Sequence, residues 1–260
     1  MEHRSLPPDF PSLSSRFRRG AAGLVLAGMT VLAGCAAPPA PDVNDPYEAA
    51  NRRTHEFNRS LDRALVRPAA TAYVTVLPAP VTQGVSNFAG NLGLPSTVAN
   101  ALLQARFADA AHNTSRFLVN STIGIGGLFD PAGAMGLTER EADFGGTLHA
   151  WGMGEGAYLE LPFIGPSTER DALGLVVDTL ADPLDHMLPK PERYYAKAAK
   201  IGSKLGDRGR YADTVDSILY ESADSYAQAR LLYLQNRRYE LGQEVSDDAF
   251  VDPYEDIYAD

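Results

Sequence analysis

Residues 45–65 read DPYEAANRRTHEFNRSLDRAL, and this stretch decides the fold class. Its apolar and small residues recur three and four positions apart, as one face of an α-helix requires. These residues are Tyr47, Ala50, Thr54, Phe57, Leu61 and Leu65. Asp45 is a suitable N-cap and Pro46 a suitable first helical residue, while Pro68 predicts the end of the helix. The stretch therefore predicts an amphipathic helix.

Helical spacing returns along most of the chain. The further predicted segments are residues 69–77, 81–92, 95–122 (as two helices), a helix capped by Ser167, residues 191–205 and residues 213–241. Between Gly124 and Gly165 eleven glycines interrupt any helical period, which predicts loops and a short hairpin. We therefore expect an all-α fold, a bundle of amphipathic helices with a glycine-rich, irregular central hairpin.

The first 34 residues have the order of a bacterial export signal. Arginines at positions 16, 18 and 19 precede an apolar run over residues 21–33, which is too short to cross a bilayer as a helix. The run leads into Leu32-Ala33-Gly34-Cys35, which resembles the lipobox of bacterial lipoproteins. The resemblance implies cleavage before Cys35 and acylation of its thiol. Because Ala36 rather than Asp follows, it also implies transfer to the outer membrane.

These features predict two N-terminal regions. We expect a lipoprotein signal peptide over residues 1–34 and a lipidated Pro/Ala-rich tether over residues 35–43. The alternative is a secretory signal followed by an unrelated or buried structural cysteine.

The composition excludes several classes of protein. The net charge is −10, and it becomes −12 without the leader, which holds four arginines and two acids. Such a chain lacks the excess of Lys and Arg that neutralises nucleic-acid phosphates. Cys35 is the only cysteine and the five histidines are scattered, so we predict neither a metal nor a cofactor. Residues 243–260 carry seven acids and no Lys or Arg, which predicts a disordered tail.

Many short motifs follow one another between Asn44 and Asp178. They include Asn44-Asp45-Pro46-Tyr47-Glu48, His55-Glu56-Phe57-Asn58, Gly84-Val85-Ser86-Asn87-Phe88, Arg116-Phe117-Leu118-Val119-Asn120, Gly126-Gly127-Leu128-Phe129-Asp130, Asp143-Phe144-Gly145 and Arg170-Asp171. In this order they resemble the MlaA family, also called VacJ lipoproteins. Several motifs in one order are far more specific than any one of them.

The resemblance implies a function. Members of the family are described as ring-like helical lipoproteins in the inner leaflet of the outer membrane, beside a trimeric porin. Their amphipathic channel takes phospholipids that have strayed to the outer leaflet and passes them to a soluble periplasmic lipid carrier, which maintains lipid asymmetry. We therefore expect residues 44–242 to form an MlaA-like helical domain, lipid-anchored on the periplasmic side of the outer membrane, that transports phospholipids and is not an enzyme.

The resemblance also implies a channel gate. It maps to Phe144-Gly145 and to Gly152, Gly154 and Gly156. For the three spaced glycines a plain tight turn is the alternative to a hinge. A phosphate-binding loop is excluded because no helix follows. We expect six further residues to line the channel or the membrane seat: Phe57, Asn58, Phe88, Phe117, Leu128 and Phe129.

For three features the sequence allows more than one interpretation. Gly124, Gly126 and Gly127 either end a helix or allow close approach of a neighbour. The basic residues between Lys190 and Lys204 either face solvent or contact headgroups or an acidic carrier. The function has two rivals. One is a structural envelope lipoprotein that tethers partners without moving lipid, and the other is a lipid-cleaving enzyme, for which no Gly-x-Ser-x-Gly motif is present.

Overall fold

The computed structural model describes residues 43–183 and 188–243. The first helix, α1 (Glu48–Leu61), continues through one wide π-helical turn, Asp62–Val66, into α2 (Arg67–Val76). The predicted end before Pro68 is therefore wrong. Arg67 N–H bonds to Asp62 O, five residues back, and this shift in register accommodates a proline that lacks an N–H.

The start of α1 also differs from the prediction. Tyr47 is the N-cap residue and makes no side-chain capping bond. Asp45 instead accepts hydrogen bonds from Asn51, at 2.9 Å, and from Tyr226 and Arg230 near the C-terminus. A carboxylate suited to capping is thus used to join the two ends of the domain, where one of its donors is the cationic guanidinium of Arg230.

The remaining elements follow in chain order. They are α3 (Ala79–Leu103), α4 (Phe107–Thr122), α5 (Pro131–Ala134), α6 (Phe144–Ala150), β1 (Tyr158–Leu161), β2 (Gly165–Thr168), α7 (Glu169–Ala181), α8 (Glu192–Arg210), α9 (Ala212–Asp216), a π-helical turn Ser217–Glu221 and α10 (Ser225–Glu240). Helix α3 packs against α4 and α8, α8 also against α2, and α6 against α7. The strands lie against α1, α7 and α10.

Helix α3 runs through Pro95, so the helix predicted from Pro95 onward begins instead at Ala79. An interior proline costs a helix about 3 kcal/mol. Packing of α3 against both α4 and α8 offsets this cost, which a local pattern cannot show.

The central region is only partly irregular. The predicted hairpin is confirmed as the antiparallel pair β1–β2, in which Tyr158 pairs with Thr168 and Leu161 with Gly165. Two short helices, α5 and α6, also form here. Each begins at an aspartate whose side chain accepts a backbone N–H, from Gly133 for Asp130 and from Gly146 for Asp143. They are too short for helical periodicity to reveal.

The predicted helix 213–241 is divided. The chain is extended at Ser222, and Asp224 then caps α10 by accepting the Ala227 N–H at 3.0 Å. Arg52 of α1 donates to both carboxylate oxygens of Asp224, at 3.0 and 2.9 Å. This long-range ion pair favours the break, although the helical spacing continues across it.

The mostly helical fold class is confirmed, whereas the ring-like arrangement stays a prediction. The buried apolar cluster of the described residues is small, with Tyr158, Tyr226 and Leu234 at its centre. The predicted signal peptide, the tether up to Asp42 and the acidic tail from Glu244 lie outside the described residues.

Candidate functional site

The described helices bury many polar side chains and expose many large apolar ones. The buried polar residues include Asn51, Asn91, Asn100, Asn113, Asn120, Thr147, Glu160, Thr168 and Arg170. The exposed apolar residues include Val76, Phe107, Ile123, Ile125, Phe129, Met135, Phe163, Ile164, Leu180 and Ile201. Extensive exposed apolar surface marks contact with a partner or a membrane. The described part of the chain thus combines many buried polar side chains with many exposed apolar ones.

A first polar cavity, of about 280 Å³, lies between α6, α7 and α10. It is lined by Asp143, Gly145, Ser167, Asp171, Leu175, Asp178, Tyr233, Asn236, Arg237 and Glu240. Arg237 donates to Asp143, Asp171 and Glu240 at 2.8, 3.1 and 3.1 Å. One guanidinium thus holds together three carboxylates from three helix ends.

Asp171 is the most strongly held of these acids. Burial acts to raise the pKa of Asp171, but hydrogen bonds from Arg170 and Arg237 outweigh burial and bring the pKa down to about 2. Tyr233 also donates its hydroxyl to Asp171, at 2.9 Å. Asp171 is therefore a carboxylate at any physiological pH.

A second cavity, of about 350 Å³, lies between α3, α7 and α8. It is lined by Ser96, Asp178, Thr179, Asp182, Leu188, Ala196, Lys197 and Lys200. Lys200 Nζ contacts Asp182 Oδ2 at 2.7 Å. Lys197 and Lys200 belong to the predicted basic segment, but Lys197 is exposed and the Lys200 side chain is 41% exposed, so both interpretations of that segment stay predictions.

Asp178 lines both cavities. Its Oδ1 accepts a hydrogen bond from Asn100 Nδ2 and its Oδ2 one from the Phe144 N–H, each at 2.9 Å. The two cavities together present carboxylates, ammonium groups and a guanidinium. Several of these charges already pair with one another, as Arg237 does with Asp171 and Lys200 with Asp182.

Phe144 and Gly145 of the predicted gate form the start of α6, beside the first cavity. The Phe144 ring meets Trp151 edge to face, with centroids 5.7 Å apart. Gly145 has no room for a side chain, because a Cβ there would lie 2.5 Å from Asp171 Oδ1 and 2.8 Å from Arg237 Nη2.

The three spaced glycines follow α6. Gly152 has φ +92° and donates to His149 O, while Met153 donates to Leu148 O. These are the two bonds of a Schellman motif, so Gly152 ends the helix, as the tight-turn alternative requires. Gly154 has open space around it, and Gly156 adopts φ +76°. A hinge in this segment stays a prediction.

Phe57 and Asn58 contact the β-hairpin rather than a cavity. Phe57 packs edge to face against Phe163, with centroids 5.3 Å apart. Asn58 donates to Leu161 O at 2.9 Å and accepts the Phe163 N–H at 2.8 Å. Phe163 has φ +67°, a left-handed conformation that side chains disfavour. Asn58 therefore holds a strained turn whose phenyl ring is exposed.

The other predicted seat residues divide by exposure. Phe88 and Phe117 are half-buried, whereas Leu128 and Phe129 are exposed in the loop after α4. The glycines of this loop allow close approach. A Cβ at Gly124 would lie 2.5 Å from Phe129 O, and one at Gly127 would lie 2.5 Å from Asn91 Cβ. Close packing is thus the favoured interpretation for both.

A buried network that sequence reasoning missed joins α1, β1 and α10. His55 Nε2 lies 3.0 Å from Ser225 Oγ, and its Nδ1 lies 3.3 Å from Glu160 Oε1. The order is that of a serine–histidine–carboxylate triad. Each of the three residues is more than nine-tenths buried, and none lines either cavity. Burial, followed by the hydrogen bond to Glu160, raises the pKa of the neighbouring Tyr158.

Asp178, Arg237 and Arg238 were also missed, because they carry no motif and meet their partners only in the folded chain. Cys35 lies outside the described residues. Within residues 43–183 and 188–243 no three His, Cys, Asp or Glu side chains are grouped to hold a metal ion. No helix in these ranges has the length and hydropathy to span a bilayer.

Comparisons with known proteins agree with one another. The profile of the MlaA lipoprotein family matches residues 43–240. The intermembrane phospholipid transport system lipoprotein MlaA of Escherichia coli K12 is 35% identical over 214 residues, which cover 80% of this chain and 83% of that one. A Rickettsia bellii protein is 35% identical over 196 residues, 75% of this chain and 76% of its own.

A solved structure supports the same assignment. It comes from work on the structural basis for maintenance of bacterial outer membrane lipid asymmetry, and it superposes with a TM-score of 0.66 at 33% identity, covering 76% of this chain and 98% of its own. Since the family profile matches well over half of the residues, the chain belongs to the MlaA lipoprotein family.

Proposed function

We propose that this protein moves phospholipids out of the outer leaflet of the outer membrane through a polar passage around Asp178. The proposal rests on one observation: two clefts lined by charged residues, both of which include Asp178, lie between helices that also expose large apolar side chains. A phospholipid headgroup needs polar surroundings, while its acyl chains need apolar ones. Such an arrangement meets both demands within one leaflet.

The other parts of the proposal follow from the family relation. Acyl chains on Cys35 anchor the protein to the periplasmic side of the outer membrane. Phe163, Leu128 and Phe129 contribute to the seat in the inner leaflet. The segment from Phe144 to Gly156 gates the passage. The lipid is handed to a soluble periplasmic carrier, and a trimeric porin is the neighbour in the membrane.

A plug in the passage tests the transport function. Thr179 lines the second cavity, and its hydroxyl bonds only within its own helix, to Leu175 O. Thr179→Trp places an indole in the passage. Thr75→Trp is the matched control, because Thr75 is also exposed on a helix and bonds to the carbonyl four residues back.

Both variants are expressed in a deletion strain, and outer-leaflet phosphatidylethanolamine is labelled with a membrane-impermeant amine reagent. We expect Thr179→Trp to accumulate surface phospholipid like the deletion, and Thr75→Trp to match the wild type. If Thr179→Trp keeps wild-type asymmetry, the passage is not where we propose. If the deletion itself leaves asymmetry intact but weakens the envelope, the protein is a structural tether.

The lipid-cleaving rival has one geometric argument, the contact of His55 with Ser225 and Glu160. Transport predicts that purified protein releases no fatty acid from phospholipid and that Ser225→Ala retains asymmetry. Fatty-acid release that disappears in Ser225→Ala would establish hydrolysis instead.

A further inference from the structure

The segment that carries the candidate gate, residues 143–156, is held near both ends by two adjacent arginines of α10. At the start of the segment, Arg237 Nη2 donates to Asp143 Oδ1 at 2.8 Å. Near its end, Arg238 donates to both oxygens of Glu155, at 3.0 and 2.9 Å. Consecutive helical residues point about 100° apart, so one turn of α10 reaches both ends.

We propose that Arg237 and Arg238 are positioning residues that clamp this segment onto α10 and thereby set the position of the gate. The inference rests on the proposed function, because it assigns a role to the segment that gates lipid passage. Between the clamped residues Asp143 and Glu155 the chain holds helix α6 and the irregular turn with Gly152 and Gly154, and Gly156 follows directly after Glu155.

The two halves of the clamp differ in strength. The Arg237 side chain is 11% exposed and binds Asp143, Asp171 and Glu240, so it is locked into the wall of the first cavity. The Arg238 side chain is 34% exposed and its partner Glu155 is 20% exposed. A pair nearer to solvent costs less to separate. Asp143 is itself 48% exposed, but Asp171 and Glu240 also hold Arg237, whereas among the described residues Glu155 is the one acid that pairs with Arg238. The Arg238–Glu155 pair is therefore the one that separates more readily.

Hydrogen exchange of the amides in residues 152–157 tests the clamp directly, in the full lipoprotein. Arg238→Gln removes the ion pair between Arg238 and Glu155 by neutralising the arginine, and Glu155→Gln removes the same pair by neutralising the acid. We expect each to raise the exchange rate there about 5-fold, as loss of a bidentate, partly exposed ion pair implies. The double variant Arg238→Glu with Glu155→Arg re-forms the pair with reversed charges, so we expect it to restore slow exchange.

Arg67→Gln is the matched control. Arg67 pairs with Asp216 at comparable exposure, on elements that do not include residues 143–156. We expect it to leave exchange in residues 152–157 unchanged. If Arg238→Gln exchanges like the wild type, or if the charge swap does not restore protection, the clamp is overturned.

Surface phospholipid in the same strains links the clamp to the gate. We expect Arg238→Gln to change the amount of surface phospholipid relative to Arg67→Gln, and the charge swap to reverse that change. Faster exchange with unaltered surface phospholipid overturns the role in gating. A deletion strain with normal asymmetry refutes the proposed function instead, and the exchange result then stands by itself.

Discussion

Substitution of Gly174 in α7 tests how closely α7 packs against the candidate gate. A Cβ at Gly174 would lie 2.3 Å from Gly145 N and 2.7 Å from Gly145 Cα, both of them backbone atoms. Gly174 is buried, so the methyl group has no route to solvent. Gly174→Ala must therefore push α6 away from α7, because no flexible side chain can give way.

The magnitude follows from two opposing effects. Overpacking a close contact costs about 1–3 kcal/mol, and here the upper part of that range applies because backbone must move. Alanine favours a helix over glycine by about 1 kcal/mol. We expect a net loss of about 1–2 kcal/mol, which for a domain of this size lowers the Tm by about 2–8 °C.

Thermal unfolding of the purified lipoprotein in detergent, followed by circular dichroism, measures the effect. Gly90→Ala is the control, because Gly90 is exposed on α3 and a Cβ there meets nothing within 4 Å. In Gly90→Ala only the higher helix propensity of alanine acts, so the Tm of this variant should be about 2–4 °C above that of the wild type. A Gly174→Ala protein that melts at or above the wild-type temperature refutes the close contact between α6 and α7.

Three further predictions concern charge, anchoring and the apolar surface. The pKa of Asp171 is lowered from 3.8 to about 2, so the ionised Asp171 carboxylate stabilises the fold fully above pH 4 and this stabilisation is lost as the pH falls towards 2. Asp171→Asn should therefore reduce, by up to about 2 kcal/mol, the loss of unfolding free energy that the wild type shows between pH 4 and pH 2 in unfolding curves. Cys35→Ala should no longer fractionate firmly with the outer membrane, and firm retention with full activity would contradict lipid anchoring. Phe129→Lys should weaken binding to phospholipid vesicles, because a Lys in the apolar layer costs about 2–3 kcal/mol, whereas Ser60→Lys on an exposed polar position should not.

Local sequence predicted the parts of the fold that depend on neighbours along the chain. The three-and-four spacing from Tyr47 to Leu65 found α1, and the Gly- and Pro-rich stretch around Pro162 found the β-hairpin. The passage of the chain through Pro68 and Pro95 could not be predicted in the same way. A local rule ends a helix at proline, but a π-helical turn accommodates Pro68, and packing against α4 and α8 outweighs the loss at Pro95.

The candidate site was predicted only in outline. The motif around Phe144 and Gly145 identified the segment beside the first cavity. Asp178 and Arg237 escaped notice because an isolated acid in an amphipathic helix and an arginine near a helix end are ordinary surface residues in sequence. Their importance comes from partners far away in the chain, such as Asn100 for Asp178 and Asp143 for Arg237.

The sequence by itself determined the helical class, the faces of the longer helices and the family relation, because periodicity and ordered motifs are properties of the linear chain. Only the tertiary structure decided which polar groups turn inward. Burial of a charge is tolerated when a partner of opposite sign or a hydrogen bond meets it, and that partner is supplied by folding. The polar interior around Asp178 and the clamp on α10 therefore exist only in three dimensions.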